Sequence, residues 1–178
     1  MSLPYGEIYV FGDSLSDVNN VFDATGIPPS PPYFQGRASN GPVWVEYLAN
    51  NLGATSTNLA FGGATTGSNK TSNPGIQSLP GLQQQIKGFT ATNTFVDSDA
   101  LYIVWAGAND YLDTRITDPT VPVNNLSTAV SSLADYGAKN IMVVNLPDLG
   151  KLPVTSVDSQ ISSGLNALTE AHNRKLSR

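Results

Sequence analysis

The sequence predicts a three-layer α/β/α fold around a parallel sheet, on two observations. Short apolar runs alternate along the chain with longer amphipathic ones. Those runs are apolar almost without interruption, the pattern of strands covered on both faces by helices. The first strand is residues 7–11 (EIYVF), rich in β-branched and aromatic side chains. A helix follows over 43–52, with Val43, Tyr47 and Leu48 on one face and Leu52 one turn on. A second strand is expected at 57–61. A helix at 79–89 keeps Leu79, Leu82, Ile86 and Phe89 in phase, and a third strand, LYIVW, occupies 101–105. A helix at 127–136 stops at Gly137. A fourth strand is read at 141–146, and a final helix at 159–176 carries Ile161, Leu165, Leu168 and Leu176 on one side. The proline-rich stretch 25–42 is expected to be an ordered surface loop.

Length and composition narrow the possibilities. With 178 residues the chain is expected to form one domain. Charged residues make up 13%, about half the usual share, while 49 residues are Ser, Thr or Asn. A net charge of -5 argues against nucleic acid as a partner, because phosphate contacts need a basic face. The absence of Cys excludes disulfides and thiolate chemistry, and a single His excludes multi-histidine metal sites. Residues 1–6 have neither a basic region nor an apolar stretch, so no signal peptide is read there. Low charge and abundant hydroxyls and amides suit an extracellular or periplasmic enzyme. The triplets beginning at Asn69 and Asn125 match the glycosylation acceptor pattern at a frequency close to chance.

In parallel α/β sheets, ligands bind beyond the carboxyl ends of the strands, and three clusters fall there. The first strand runs into Gly12-Asp13-Ser14-Leu15-Ser16-Asp17. A serine just past a strand end, near a helix N-terminus, meets oriented backbone amides that suit a nucleophile; it equally suits an N-cap. The second strand runs into Phe61-Gly62-Gly63-Ala64-Thr65-Thr66-Gly67. These glycines either present bare N–H groups to a ligand or simply turn the chain. The third strand runs into Gly107-Ala108-Asn109-Asp110, where Asn109 can donate to an oxyanion and Asp110 can cap a helix, capping being the default role for either.

Taken together, GDSLSD around Ser14, NLAFGGATT at 58–66 and GAND at 107–110 resemble the GDSL-type lipases and esterases of the SGNH hydrolase superfamily. GRASNGPVWVEYLA at 36–49 and VNLPDLGKLP at 144–153 extend the likeness over most of the chain. The resemblance implies a flavodoxin-like sheet and a hydrolase of carboxylic esters, acting on a small-molecule or lipid substrate without metal or organic cofactor. Ser14 matches the family nucleophile, whose own N–H also contributes to the oxyanion hole; Gly63 and Asn109 match the other two oxyanion donors.

The family's base lies in a late Asp-x-x-His motif that this sequence lacks. Its histidine, His172, has Thr169 three residues before it and is expected to be a solvated helix side chain. Four strands are read where the family has five. The chain is therefore expected to be the N-terminal part of a longer protein, with a C-terminal segment completing the sheet beside residues 141–146. Alone it should have little esterase activity. The competing reading is a non-catalytic α/β binding module that keeps the strand-end pocket. A carrier or receiver domain, with Asp13 and Asp17 as an acidic metal pocket, is a third. The loop 25–42, which holds Pro28, Tyr33 and Phe34, is either a wall of an acyl pocket or, preferably, a packed surface loop without a ligand role.

Overall fold

A computed structural model describes residues 5–68 and 78–177; the acceptor triplet at Asn69 lies outside the described residues. Four strands, β1 (Glu7–Gly12), β2 (Thr55–Asn58), β3 (Leu101–Trp105) and β4 (Asn140–Val143), form one all-parallel sheet in the order β2-β1-β3-β4. The helices are α1 (Asn20–Thr25), α2 (Trp44–Leu52), α3 (Leu82–Thr92), α4 (Ala108–Leu112), α5 (Thr120–Tyr136) and α6 (Ser159–Leu176), with a 3-10 turn at Leu149–Lys151.

The period-two alternation of the central strands sorts their side chains into two cores. Tyr102, Val104 and Phe11 face α3 and α5, where they meet Leu82, Ile86, Phe89, Leu126 and Leu133. Phe89 is the hub of that layer, with ring centroids 4.8 Å from Tyr9, 5.4 Å from Phe11 and 5.4 Å from Tyr136. Ile8, Val10, Leu101 and Ile103 face the other way, against Val45 and Ala49 of α2. A third, smaller cluster packs Leu165 and Leu168 of α6 against Tyr111, Leu146 and Leu149 beyond the strand ends.

Several expected boundaries move, each for a physical reason. The second strand is 55–58 rather than 57–61, because an edge strand can be polar: Thr55, Ser56 and Thr57 are exposed, and Thr55 and Thr57 hydroxyls donate to Glu7. The apolar residues after it still follow β1, with the Leu59 and Phe61 N–H groups donating to Val10 and Gly12 carbonyls. Helix α5 begins seven residues before the expected 127. Pro119 and Pro122 occupy its N-cap and first turn, where a missing N–H leaves no helical bond unmade. β4 ends at Val143 instead of 146, and all four of its residues are half-buried, as befits a sheet edge. The short helices α1 and α4 are too brief to show periodicity in the sequence. Asn125 lies in α5 and donates its Nδ2 to Thr66 Oγ1 at 3.0 Å, so its amide is engaged inside the fold.

Candidate active site

β1 leaves the sheet at Gly12, where a side chain would place its Cβ 2.2 Å from the Trp105 carbonyl oxygen. Only glycine lets the two strand ends approach this closely. The exit is also clamped from 73 residues away. The Gln85 side chain accepts from Gly12 N–H through Oε1 and donates to the Gly12 carbonyl through Nε2, both at 2.9 Å.

The next residues form a tight turn. Asp13 carbonyl accepts from the Ser16 and Asp17 N–H groups at 3.0 Å, and Asp13 Oδ1 accepts from Leu15 N–H at 3.0 Å. Ser14 sits half-buried at the tip. Neither its hydroxyl nor its N–H has a hydrogen-bond partner among the described residues. The expected helix N-terminus behind Ser14 is absent, since α1 starts only at Asn20; the Leu15, Ser16 and Asp17 amides are spent on Asp13, which leaves the N–H of Ser14 itself, and Ser14 caps nothing.

Asp17 joins this turn to the second strand exit. Its Oδ1 accepts from the Asn19 and Asn20 N–H groups at 2.9 and 2.6 Å, and its Oδ2 from Gly62 and Val21 at 2.8 and 3.2 Å. Burial raises its pKa, against the pull of those four donors. All its accepting capacity is used by amides, which removes it from the acidic metal pocket considered above. Asn58 adds a second tie, donating to the Ser16 carbonyl at 2.8 Å. Gly63 then adopts φ of +80°, a conformation that disfavours any side chain, and its N–H is without a partner among the described residues.

The third exit is tied to the second. Asn109 Nδ2 donates to the carbonyl of Ala64, the residue after Gly63, at 2.9 Å, leaving its second amide hydrogen unspent. Asp110 is buried and does not cap α4; it accepts from the Thr66 N–H at 2.9 Å and the Thr66 hydroxyl at 2.6 Å. Ser14 and Gly63 thus line one cavity of about 180 Å³, and Asn109 is bonded one residue from Gly63. The proline-rich loop contributes Ile27, Pro28 and Tyr33 to the same cavity. Asp17, Asn58 and Gln85 escaped the sequence reading as positioning groups, because a polar side chain that serves distant backbone leaves no local spacing signal.

His172 is the clearest departure from expectation. It is on α6, as read, but fully buried rather than solvated. Its Nδ1 lies 2.9 Å from the Tyr111 hydroxyl, the ring packs against Gly107, and Nε2 has no partner among the described residues. No bond joins it to Ser14. Burial pushes its pKa down to about 4, and burial pushes that of Asp13, whose enclosed Oδ2 has no partner among the described residues, up to about 7. The two act oppositely on stability. Between pH 6.5 and 4 the unfolded chain takes a proton that native His172 refuses, so His172 makes stability fall as pH falls. Asp13 does the reverse, since the native state holds a proton that the unfolded chain releases above its ordinary carboxylate pKa. His172→Gln removes the first effect alone. The stability gap between parent and variant in urea unfolding should therefore narrow by about 2–3 kcal/mol from pH 7 to pH 4. A gap independent of pH shows that His172 titrates normally.

Comparison with known proteins gives this geometry a family. The GDSL-like lipase/acylhydrolase family model matches residues 8–178. The chain is 37% identical over 180 residues to a phosphatidylcholine-sterol acyltransferase of Aeromonas hydrophila, covering 97% of this chain and 53% of that protein. It is 31% identical over 160 residues to a thermolabile hemolysin of Vibrio parahaemolyticus, covering 86% of this chain and 37% of the other. The chain thus spans about half or less of these relatives' lengths. Among solved structures, a member of the lipolytic G-D-S-L family from Veillonella parvula superimposes with a TM-score of 0.61 at 20% identity, over 96% of this chain and 70% of that one, a likeness of fold. The fold, the ordered motifs and the match over nearly the whole sequence make this chain a member of the GDSL-like lipase/acylhydrolase family.

Proposed function

We propose that this chain carries the nucleophile and oxyanion-hole portion of a serine hydrolase of carboxylic esters, with Ser14 as nucleophile and the N–H groups of Ser14 and Gly63 and the Asn109 amide as oxyanion donors. One observation carries the reading: an unspent hydroxyl stands beside N–H groups that the fold has left unspent, in a chain where most neighbouring amides are bonded. Ser14 Oγ would attack the acyl carbon while its proton passes to a base. The former carbonyl oxygen becomes an oxyanion held by the three donors. Collapse expels the alcohol, protonated by the base, and leaves an acyl-serine that water hydrolyses by the same steps in reverse.

The base is proposed to come from outside these 178 residues, because the chain's one imidazole is enclosed and bonded to Tyr111. The outer edge of β4 pairs with no strand among the described residues, and a further segment of the same polypeptide is the proposed partner there. The substrate is a small-molecule or lipid ester, consistent with the acyltransferase named among the relatives.

Release of p-nitrophenol from a short p-nitrophenyl ester tests this directly. The chain alone should not exceed the buffer rate, since a serine without a base is a poor nucleophile. Exogenous imidazole should restore a rate increment that Ser14→Ala lacks. Ser14-dependent turnover without imidazole would place the base within this chain. No Ser14-dependent increment under either condition would leave the strand-end pocket as a binding site only.

A further inference from the structure

Ser14 lies where two cavities meet, and they differ in character. One, of about 180 Å³, has Ser14 and the Gly62–Gly63 backbone on one wall and Val21, Ile27, Pro28 and Tyr33 on the other. The second, of about 250 Å³, shares Ser14 and Ala38 with the first and extends past Leu15 and Ser39 towards Trp44. An ester has two arms that diverge from the carbonyl carbon. A serine that attacks this carbon needs separate room for each.

We infer that the 180 Å³ cavity is the acyl-chain site and that it grips about the first six carbons of the acyl group, the alcohol arm lying in the cavity on the Ser39 side. This assignment rests on the hydrolase reading of Ser14 and specifies its substrate. Three features support it. Apart from Asp17, whose oxygens are occupied by four amides, and the Tyr33 hydroxyl, the wall facing Ser14 is apolar, so a polar alcohol would lose most of its hydration there without compensation. Gly63, whose N–H has no partner among the described residues, lines this cavity beside Ser14, so a carbonyl bound there would place its alkyl chain against Val21 on the facing wall. Finally, a dry apolar cavity of about 150 Å³ accommodates a six-carbon ring, which sets the length of chain this space can enclose. Val21 is buried at the floor, whereas Ile27 and Tyr33 are 44% and 40% exposed at the rim. Carbons beyond the sixth pass between these rim side chains into solvent, so lipid acyl chains can enter but gain little from their distal part.

The loop 25–42 is therefore a determinant of chain-length preference, and Ile27 its most accessible lever. Replacement by a larger side chain at this half-exposed rim position blocks the entrance without disturbing the core.

The test uses binding, so that it does not depend on turnover. Linear alkanoates from propanoate to decanoate, the acyl products of ester cleavage, are titrated into the chain, and the amide resonances of Ser14, Gly62 and Gly63 are followed by NMR. Affinity should rise about fourfold per methylene up to about six carbons and then level off, with shifts concentrated at Gly62 and Gly63. Ile27→Trp should lose at least tenfold in affinity for hexanoate. Ser39→Trp, on the other cavity, should leave hexanoate binding unchanged. A steady rise through ten carbons, shifts away from Gly62 and Gly63, or equal loss in both variants overturns the assignment. Probe binding in this pattern without any Ser14-dependent ester cleavage would refute the hydrolase and leave the cavity's chain preference standing. Ester cleavage without this binding pattern would refute the cavity assignment alone.

Discussion

Asp17→Ala is expected to cost the chain about 3–5 kcal/mol of stability. A hydrogen bond to a charged group contributes roughly 1.5–3 kcal/mol, and the Asp17 carboxylate receives four. The sum is not reached, because the Asn19 and Asn20 amides are half-exposed and recover water. The Val21 and Gly62 amides point into the packed junction between β1 and the glycine turn. Asp17→Asn should recover only part of the loss. Its single carbonyl oxygen can serve one pair of donors, and its NH2 group then faces the other pair. Asp13→Asn supplies the internal comparison. Asp13 is just as buried and only three residues from the end of the same turn, yet it accepts one amide through Oδ1 and none through Oδ2. Its replacement should cost less than half as much at pH 7. Urea unfolding of the three variants, compared at constant m-value, checks the ranking. A loss below about 1 kcal/mol for Asp17→Ala means that the amides find water and that the carboxylate does not hold the two strand exits together.

The parts of this molecule that are legible in sequence are those that repeat. β3 and α6 lie at the residues expected, since LYIVW is bounded cleanly on both sides and the last helix keeps its apolar spacing from Leu165 to Leu176, although Ile161 of the same set is exposed. β1 extends one residue beyond its apolar run because Gly12 completes the register with Trp105. What repeats less is read less well. The edge strand β2 carries TSTN, four polar residues whose only strand signal is β-branching, so the strand expected at 57–61 starts two residues late and runs into the apolar residues beyond it. His172 shows a different limit. Its neighbours Glu170, Asn173 and Arg174 look like a solvated helix face, and burial depends on Tyr111 and Gly107, about sixty residues earlier. The site divides in the same way. Of the proposed site residues, Ser14, Gly63 and Asn109 lie two, five and four residues beyond their strands, so strand ends point to the clusters that hold them and the family resemblance to the individual residues. The groups that hold them, Asp17, Asn58 and Gln85, act on backbone far along the chain, and only the folded structure shows which backbone.

Asn109→Ala should lower kcat for ester hydrolysis by about 10²–10³ with a much smaller change in KM, measured on the imidazole-assisted rate. The amide has two hydrogens and the structure spends only one, on the Ala64 carbonyl at 2.9 Å. That bond fixes the plane of the amide beside Gly63. The second hydrogen is then held in place before any substrate arrives, so little reorganisation opposes its use as negative charge develops on the carbonyl oxygen. A neutral ground-state carbonyl draws much less from the same donor, which is why the loss should fall on kcat. The structural role of the residue makes a separate, smaller contribution. Breaking the tie to Ala64 removes one neutral hydrogen bond, worth about 1 kcal/mol in stability, and should lower the unfolding midpoint without approaching the catalytic effect. Asn109→Asp separates the two further: a carboxylate cannot donate to Ala64 and places negative charge beside the forming oxyanion, so its kcat should fall at least as far as that of the alanine variant. If kcat is unchanged in Asn109→Ala while the unfolding midpoint drops, Asn109 is a tie between α4 and the glycine turn, and the oxyanion would rest on the Ser14 and Gly63 amides alone.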